Sequence, residues 1–305
     1  MYDIIIIGAG FAGYGAAIYT SRYNMKTLII AKVLGGTITE SYLVDNYLGF
    51  FNVTGYDIMQ KAEEQVRKLG AEIKDANVNE IVRAKDKFIV KASEGDFEAK
   101  RILLAMGSKK RRLNIPGEDK FSGRGVSYCF TCDAAFFKGK KVGVVGGGNS
   151  AIEAATLLAK YAAKVYILYR GDSLKRVEPI MVDELKKLKN VEVKFNTEVK
   201  EIKGDKLVKS VVFKDGSEFP LDGIFVEIGA DPASELAKKL GVKTTEKGHI
   251  IVDHAQRTNA ANAYAAGDIT TGSNMFEQGV CAASEGAIAA ESAYKDMMAD
   301  MAKKK

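Results

Sequence analysis

The chain is poor in cysteine and histidine: of its 305 residues, three are cysteine and two are histidine. Three thiols cannot staple a small secreted fold, so a disulfide scaffold is excluded. Metal ligands are equally sparse. Besides Cys129 and Cys132 there remain Cys281, His249 and His254, with no second C-x-x-C and no spaced pair of histidines. A tetrahedral zinc site has nothing to complete it, and no metal is expected. Long apolar runs are missing too. The best candidate, Ile4 to Ile7, is strand-sized and far short of the ~20 residues that span a bilayer, so no membrane partner is expected. Met1 leads within two residues into that strand, with no secretory leader, which makes the cytoplasm the expected location. The net charge is +6, yet basic residues are interleaved with Asp and Glu, and they cluster only at "KKRR" (109–112) and the final "KKK". That pattern reads as solvated surface, and nucleic acid is not an expected partner.

What is present is ordinary in amount and specific in order. Hydrophobic content of 47% and charged content of 28% suit a globular protein, and 305 residues suffice for one large or two ordinary domains. Residues 3–15 read "DIIIIGAGFAGYG". A short β-branched run ends in Gly8-Ala9-Gly10-Phe11-Ala12-Gly13, small apolar residues then recur at helical spacing, and "KTLIIA" is a second strand. Strand, glycine turn, helix, strand is the context in which G-x-G-x-x-G marks a dinucleotide site. Gly8 permits the tight turn, Gly10 lets the backbone approach a pyrophosphate, and Gly13 lets helix and strand pack closely. The pyrophosphate then sits on the helix N-terminus, where free N–H groups and the dipole favour an anion.

The pattern recurs 138 residues later in "KKVGVVGGGNSAIEAATLLAKYAAKVYILYR", through Gly146, Gly148, Asn149, Ser150 and Ala151. Two copies predict two nucleotides. In the second copy, Arg170 stands where an NAD site carries an acid, and Lys175 and Arg176 follow. Positive charge there suits a 2′-phosphate, which favours NADPH over NADH. Asp172 is placed to cap the turn. In the first copy the equivalent position is Ala31, which has no carboxylate for a ribose. A tightly held FAD, contacted along its length, can do without that interaction.

Residues 127–137, "SYCFTCDAAFF", hold the C-x-x-C pair. Taken alone it reads as half a metal site, a packed pair, or a working dithiol. A helix starting at "CDAAFF" would favour thiolate, and Asp133 in its first turn can carry a proton. Cys281, among small residues at helical spacing, reads as a packed core thiol.

These motifs, with "GGTITESYLVDNYLGF", "ILLAMGSKKRRLNIPGED", "CFTCD" and "RTNAANAYAAGDI", resemble over the whole chain the low-molecular-weight thioredoxin reductases of bacteria and archaea, in the two-dinucleotide-binding flavoprotein superfamily. The resemblance implies an α/β fold of two Rossmann-like domains, the second inserted into the first. FAD would be held by residues 1–113 and 244–305, and NADPH by 114–243, which also carry the dithiol. It adds Ala12, Gly35, Gly36, Thr37, Asn46, Gly267, Asp268 and Gln278 as FAD contacts, and Glu153 near the nicotinamide. It implies electron flow from NADPH through FAD to Cys129–Cys132 and on to thioredoxin or a thioredoxin-like protein. Cys132 would face the flavin, Cys129 would attack the substrate disulfide, and Asp133 would protonate the thiolate. A homodimer is implied as well, and because nucleotide and dithiol both belong to the inserted domain and both must reach the flavin, an alternation of the two domains is expected. The sequence departs from the family pattern at Met106, Thr37, Gly171 and Glu277. The departures at Gly171 and Glu277 keep open another donor (NADH, ferredoxin or a deazaflavin), and a flavin redox sensor without turnover stands as a third reading.

Overall fold

A computed structural model describes residues 1–41, 44–175 and 177–303. The chain divides into two compact units, one of Met1–Lys109 with Asp231–Lys305 and one of Lys110–Ala230. The first unit opens with β1 (Tyr2–Ala9), α1 (Phe11–Arg22), β2 (Thr27–Leu34), α2 (Gly55–Lys68) and β3 (Glu72–Asp75). A meander follows, β4 (Val78–Ala84), β5 (Lys87–Ala92) and β6 (Gly95–Leu104), and then β7 (Ser108–Lys110). The second unit holds β8 (Val126–Ser127), α3 (Phe130–Asp133), β9 (Lys141–Val145), α4 (Asn149–Leu158), β10 (Lys164–Leu168) and α5 (Pro179–Lys187). It continues with β11 (Val191–Lys194), β12 (Val199–Gly204), β13 (Val208–Phe213), β14 (Glu218–Pro220) and β15 (Gly223–Val226). The chain then returns through β16 (Ala230–Pro232), α6 (Glu235–Lys239), β17 (Ala263–Ala265) and α7 (Gly279–Ala302).

The first unit is built on a seven-stranded sheet in the order β3-β2-β1-β6-β5-β4, with β17 also pairing β6. β1 runs parallel to both β2 and β6, which places it at the centre. That is why its isoleucines form an unbroken run: Ile4 to Ile7 are covered on both faces of the sheet, and all are buried. The meander strands instead alternate, Phe88 and Val90 inward on β5, as antiparallel strands with one wet face do. α2 begins at Thr54, whose hydroxyl accepts from Asp57 N at 3.0 Å and donates to its carboxylate at 2.7 Å, a reciprocal cap. The second unit carries a five-stranded parallel sheet, β11-β10-β9-β15-β8, and a three-stranded antiparallel sheet, β12-β13-β14. Both units are thus Rossmann-like α/β layers, the second contributed by residues inside the sequence of the first. Among the described residues, no helix is long and apolar enough to cross a membrane.

In the first unit α1 lies against α7 at backbone contact distance. A Cβ on Gly286 would fall 2.1 Å from Ala12 O and 2.9 Å from Ala16 N, and one on Gly15 would fall 2.7 Å from Ala283 O. Polar anchors hold α7 in this place. Arg101, fully buried on β6, pairs with Asp300, while Arg257 makes two bonds of 3.1 and 2.9 Å to Asp296, which also accepts from Tyr264 Oη at 2.6 Å. Gly286→Ala would gain about 1 kcal/mol of helix propensity. It must also push one backbone off another, an overpacking cost of about 1–3 kcal/mol or more. We expect Gly286→Ala to lower the thermal midpoint by several degrees, whereas Ser284→Ala on the exposed face of the same helix leaves it unchanged; scanning calorimetry of the two variants checks this.

Candidate active site

In the first unit the glycine turn after β1 is shaped by what it touches. Gly8 has φ +110°, and a Cβ there would lie 2.1 Å from the carbonyl oxygen of Ala105, just past the neighbouring strand β6. Gly13, one helical turn later, is equally close to Gly8: its Cβ would lie 2.0 Å from Gly8 O. Gly10 caps α1 without any side-chain hydrogen bond, so the first N–H groups of the helix face outward bare. Across from it stands the Gly35-Gly36 turn. Gly35 N bonds Ala9 O at 3.0 Å, and a Cβ on Gly36 would come within 3.0 Å of Gly10 Cα. Two glycine backbones therefore face each other with no side chain between them, a cradle that fits a pyrophosphate. Thr37, exposed, opens the short 3-10 turn that follows.

The C-terminal residues named from the sequence lie in the same unit. Gln278 is the N-cap of α7, and its Oε1 accepts from Asn46 Nδ2 at 3.2 Å across 232 residues of sequence. Gly267 rests on α1, its missing Cβ 3.0 Å from the Cβ of buried Ala12. Asp268 follows. Burial first, then the carboxylates of Glu277 and Glu285, push its pKa up from 3.8 to about 6. Glu285 was not singled out in the sequence. It is buried and accepts from Gly267 N at 2.8 Å and from Thr270 Oγ1 at 3.1 Å, closing the loop that carries Asp268. His249 Nε2 lies 3.7 Å from Glu277 Oε1.

In the second unit the same turn recurs. Gly146 has φ +149°, and a Cβ there would meet the Glu227 carbonyl at 2.1 Å. Gly147 is walled by Tyr169, whose ring would sit 2.4 Å from an added Cβ. Gly148 caps α4 without a side-chain bond and faces open space. Ser150 and Glu153, both partly buried, lie on the first two turns of α4. Asn149 is committed elsewhere: its Nδ2 donates to Glu178 Oε1 at 2.9 Å, and its Oδ1 accepts from Glu178 N at 3.0 Å. Beyond β10, Arg170 is exposed, and Lys175 pairs with Asp172 at 3.4 Å, which also accepts from Ser173 Oγ at 2.7 Å. Arg176 lies outside the described residues.

The cysteine pair lies in this unit too. Cys129 and Cys132 are joined in a disulfide, with Cα atoms 5.3 Å apart. Cys129 is the N-cap of α3, and its Sγ accepts from Cys132 N at 3.3 Å. Asp133 N bonds Cys129 O at 3.2 Å. Cys132 is exposed and Cys129 partly so. The segment before them is pinned by Glu118, which is 2% exposed and accepts from Leu113 N, Asn114 N and Tyr128 Oη at 2.9, 2.7 and 2.6 Å. Burial and this bond push the Tyr128 phenol up to about 12. Cys281, on α7, is a free thiol of intermediate burial.

The Asp268 environment carries a pH dependence. A carboxyl whose pKa is higher folded than unfolded opposes folding only when ionised. The loss is absent below the ordinary value of 3.8, grows as pH rises towards about 6, and is constant above. Asp268→Asn removes it. In protein freed of flavin, the variant's gain in thermal midpoint over wild type is expected to be larger at pH 8 than at pH 4, and calorimetry at the two pH values checks this.

Comparison with known proteins assigns this architecture. Residues 2–286 match the family model described as pyridine nucleotide-disulphide oxidoreductase. The thioredoxin reductase of Listeria innocua is 41% identical over 302 residues, covering 97% of this chain and 93% of that one. The solved thioredoxin reductase of Lactococcus lactis superposes with a TM-score of 0.93 at 37% identity, covering 98% and 99% of the two chains. A ferredoxin-flavin thioredoxin reductase from Clostridium acetobutylicum matches at 33% identity with a TM-score of 0.53, covering 98% of each chain. The chain belongs to the pyridine nucleotide-disulphide oxidoreductase family and, within it, to the thioredoxin reductases.

Proposed function

We propose that this protein is an NADPH-dependent disulfide reductase whose substrate is the disulfide of thioredoxin or a thioredoxin-like protein. FAD and NADPH are the cofactors of its family. The observation that carries the reading is the Cys129–Cys132 disulfide, set at a helix start within the same compact unit as the second glycine turn. In the proposal the discontinuous unit holds FAD through Gly8, Gly10, Gly13, Gly36, Asn46, Asp268 and Gln278. The other unit holds NADPH through Gly146, Gly148, Ser150 and the charge of Arg170. The protein works as a homodimer in the cytoplasm.

When bound, FAD supplies a carrier that takes electrons as a pair from the nucleotide and delivers them to the protein disulfide. The chain's own residues do the rest. Once the Cys129–Cys132 bond has been reduced, the Cys132 backbone N–H that now points at Cys129 Sγ favours the thiolate there. Cys129 attacks one sulfur of the substrate disulfide and forms a mixed disulfide, releasing the other substrate sulfur as a thiolate. Cys132 then attacks Cys129 Sγ, the second substrate sulfur leaves, and the intramolecular disulfide is restored. Asp133, whose backbone is tied to Cys129 O, carries the proton in this exchange.

A second reading changes only the donor. Beyond β10 Arg170 is exposed, while the likewise exposed Lys175 is drawn to Asp172 and Asn149 to Glu178. A thin phosphate site of this kind is what a ferredoxin-dependent relative could tolerate.

Anaerobic mixing of the flavin-loaded protein with NADPH, NADH or reduced ferredoxin separates the readings. Bleaching by NADPH, followed by reduction of an added thioredoxin, is expected; bleaching by ferredoxin alone would overturn the nucleotide assignment. Cys132→Ser is expected to keep NADPH bleaching, to lose disulfide reduction by at least about a thousandfold, and to accumulate a thioredoxin adduct on Cys129 that is visible on a non-reducing gel. Cys129→Ser should form no such adduct.

A further inference from the structure

The peptide group between Tyr128 and Cys129 is held at both ends. Its N–H donates to Ser127 Oγ at 3.1 Å, and its carbonyl accepts from the ammonium of Lys110. That ammonium also lies 3.4 Å from Glu227 Oε1 and 5.9 Å from the centre of the Phe130 ring. The Glu227 side chain is only 4% exposed, and its backbone carbonyl is the one that crowds Gly146 in the second glycine turn. Tyr128 and Phe130 flank Cys129 in sequence, so the one cation bears on both of its chain neighbours.

We propose that Lys110 is a positioning residue for the dithiol: its charge, set by Glu227 against the Tyr128 carbonyl and the Phe130 ring, orients the turn bearing Cys129 and favours the Cys129 thiolate. Three physical effects point the same way. A positive charge bound to the peptide group that leads into a cysteine favours the ionised form of its thiol. A carbonyl oxygen engaged by an ammonium cannot turn its negative end towards the sulfur. The buried carboxylate of Glu227 holds the lysine in one place, since leaving either charge unpaired is costly. Glu227 also works against Lys110, because its own negative charge disfavours a nearby thiolate. Removing one or the other must therefore shift Cys129 in opposite directions.

This inference rests on the proposed role of the cysteines as a working dithiol. Its test needs neither nucleotide nor thioredoxin, so the two can fail separately. The flavin-loaded protein is reduced chemically, and the rate of Cys129 alkylation by iodoacetamide is followed against pH by mass spectrometry. In Lys110→Met the pH of half-maximal rate is expected to rise by about one unit, slowing alkylation about tenfold below it. Lys110→Arg keeps the charge and restores the wild-type profile. Glu227→Gln keeps the shape and moves the midpoint down. Should Lys110→Met not fold, Lys110→Met with Glu227→Gln removes both charges without stranding either, and its midpoint is expected above that of Glu227→Gln alone. Profiles of Lys110→Met or the double variant that match their references, or a Glu227→Gln shift upward, overturn the proposal.

Discussion

The structure depends on a missing carbon atom, placed twice. At Gly8 a Cβ would sit on the Ala105 carbonyl, and at Gly146 on the Glu227 carbonyl, in each case at 2.1 Å. Ala105 follows β6 and Glu227 follows β15, the strands beside β1 and β9 on the flank opposite β2 and β10. In each unit, then, the chain leaves the central strand by turning against the end of one neighbour while the next helix leads to the other. That is the switch point of an open parallel sheet, where ligands bind beyond the carboxyl ends of the strands. Any side chain there would push the helix start away from the sheet. With glycine the helix begins at once, and its first N–H groups are delivered bare at the sheet edge.

Around this constraint the first unit is tightened by long-range pairs. Backbone contact of α1 with α7 requires glycine on both helices, Tyr23 stacks on Tyr294 beside it at 4.4 Å, and charges towards the far end of α7 tie that helix to the sheet and its loops. Arg101 and Asp300, Arg257 and Asp296, and the Tyr264 hydroxyl all bear on that helix. Of these charges Arg101 is the buried one, and an arrangement that moved Asp300 away from it would strand that guanidinium. The position they define is the one in which Gln278, at the start of α7, reaches Asn46.

What the sequence made legible follows from range. The two glycine turns, the central isoleucine run and the C-x-x-C each occupy fewer than about fifteen residues and are written in residue types that permit few alternatives. The fold class followed from their order. The supporting polar residues were not legible. Glu118 reaches Tyr128, Glu178 reaches Asn149, and Glu227 reaches Lys110 over 10, 29 and 117 residues. No period or spacing announces such pairs, because a carboxylate in a loop looks the same whether it clamps a backbone or faces water. Glu285 was hidden in another way. It sits in a helix of small residues, where a lone glutamate reads as the wet face, yet it is 4% exposed because the 267–272 loop needs an acceptor.

The charges near the cysteines follow from the chemistry they must serve. A carboxylate in the first turn after Cys132 can move protons, but it also opposes thiolate formation on the same turn. A site with Asp133 and no compensation would hold its proton well and attack poorly. A cation placed directly on the sulfur would correct this at the expense of nucleophilicity, which falls as a thiol becomes more acidic. Lys110 acts one step removed, on the carbonyl before Cys129 rather than on the sulfur, and Glu227 moderates it. Because the Glu227 backbone also forms the wall against Gly146, the residue that tempers the cation is fixed by the constraint that builds the second glycine turn. The position of Lys110 near Cys129 and the geometry of the nucleotide turn are therefore set by one short stretch of chain at the end of β15.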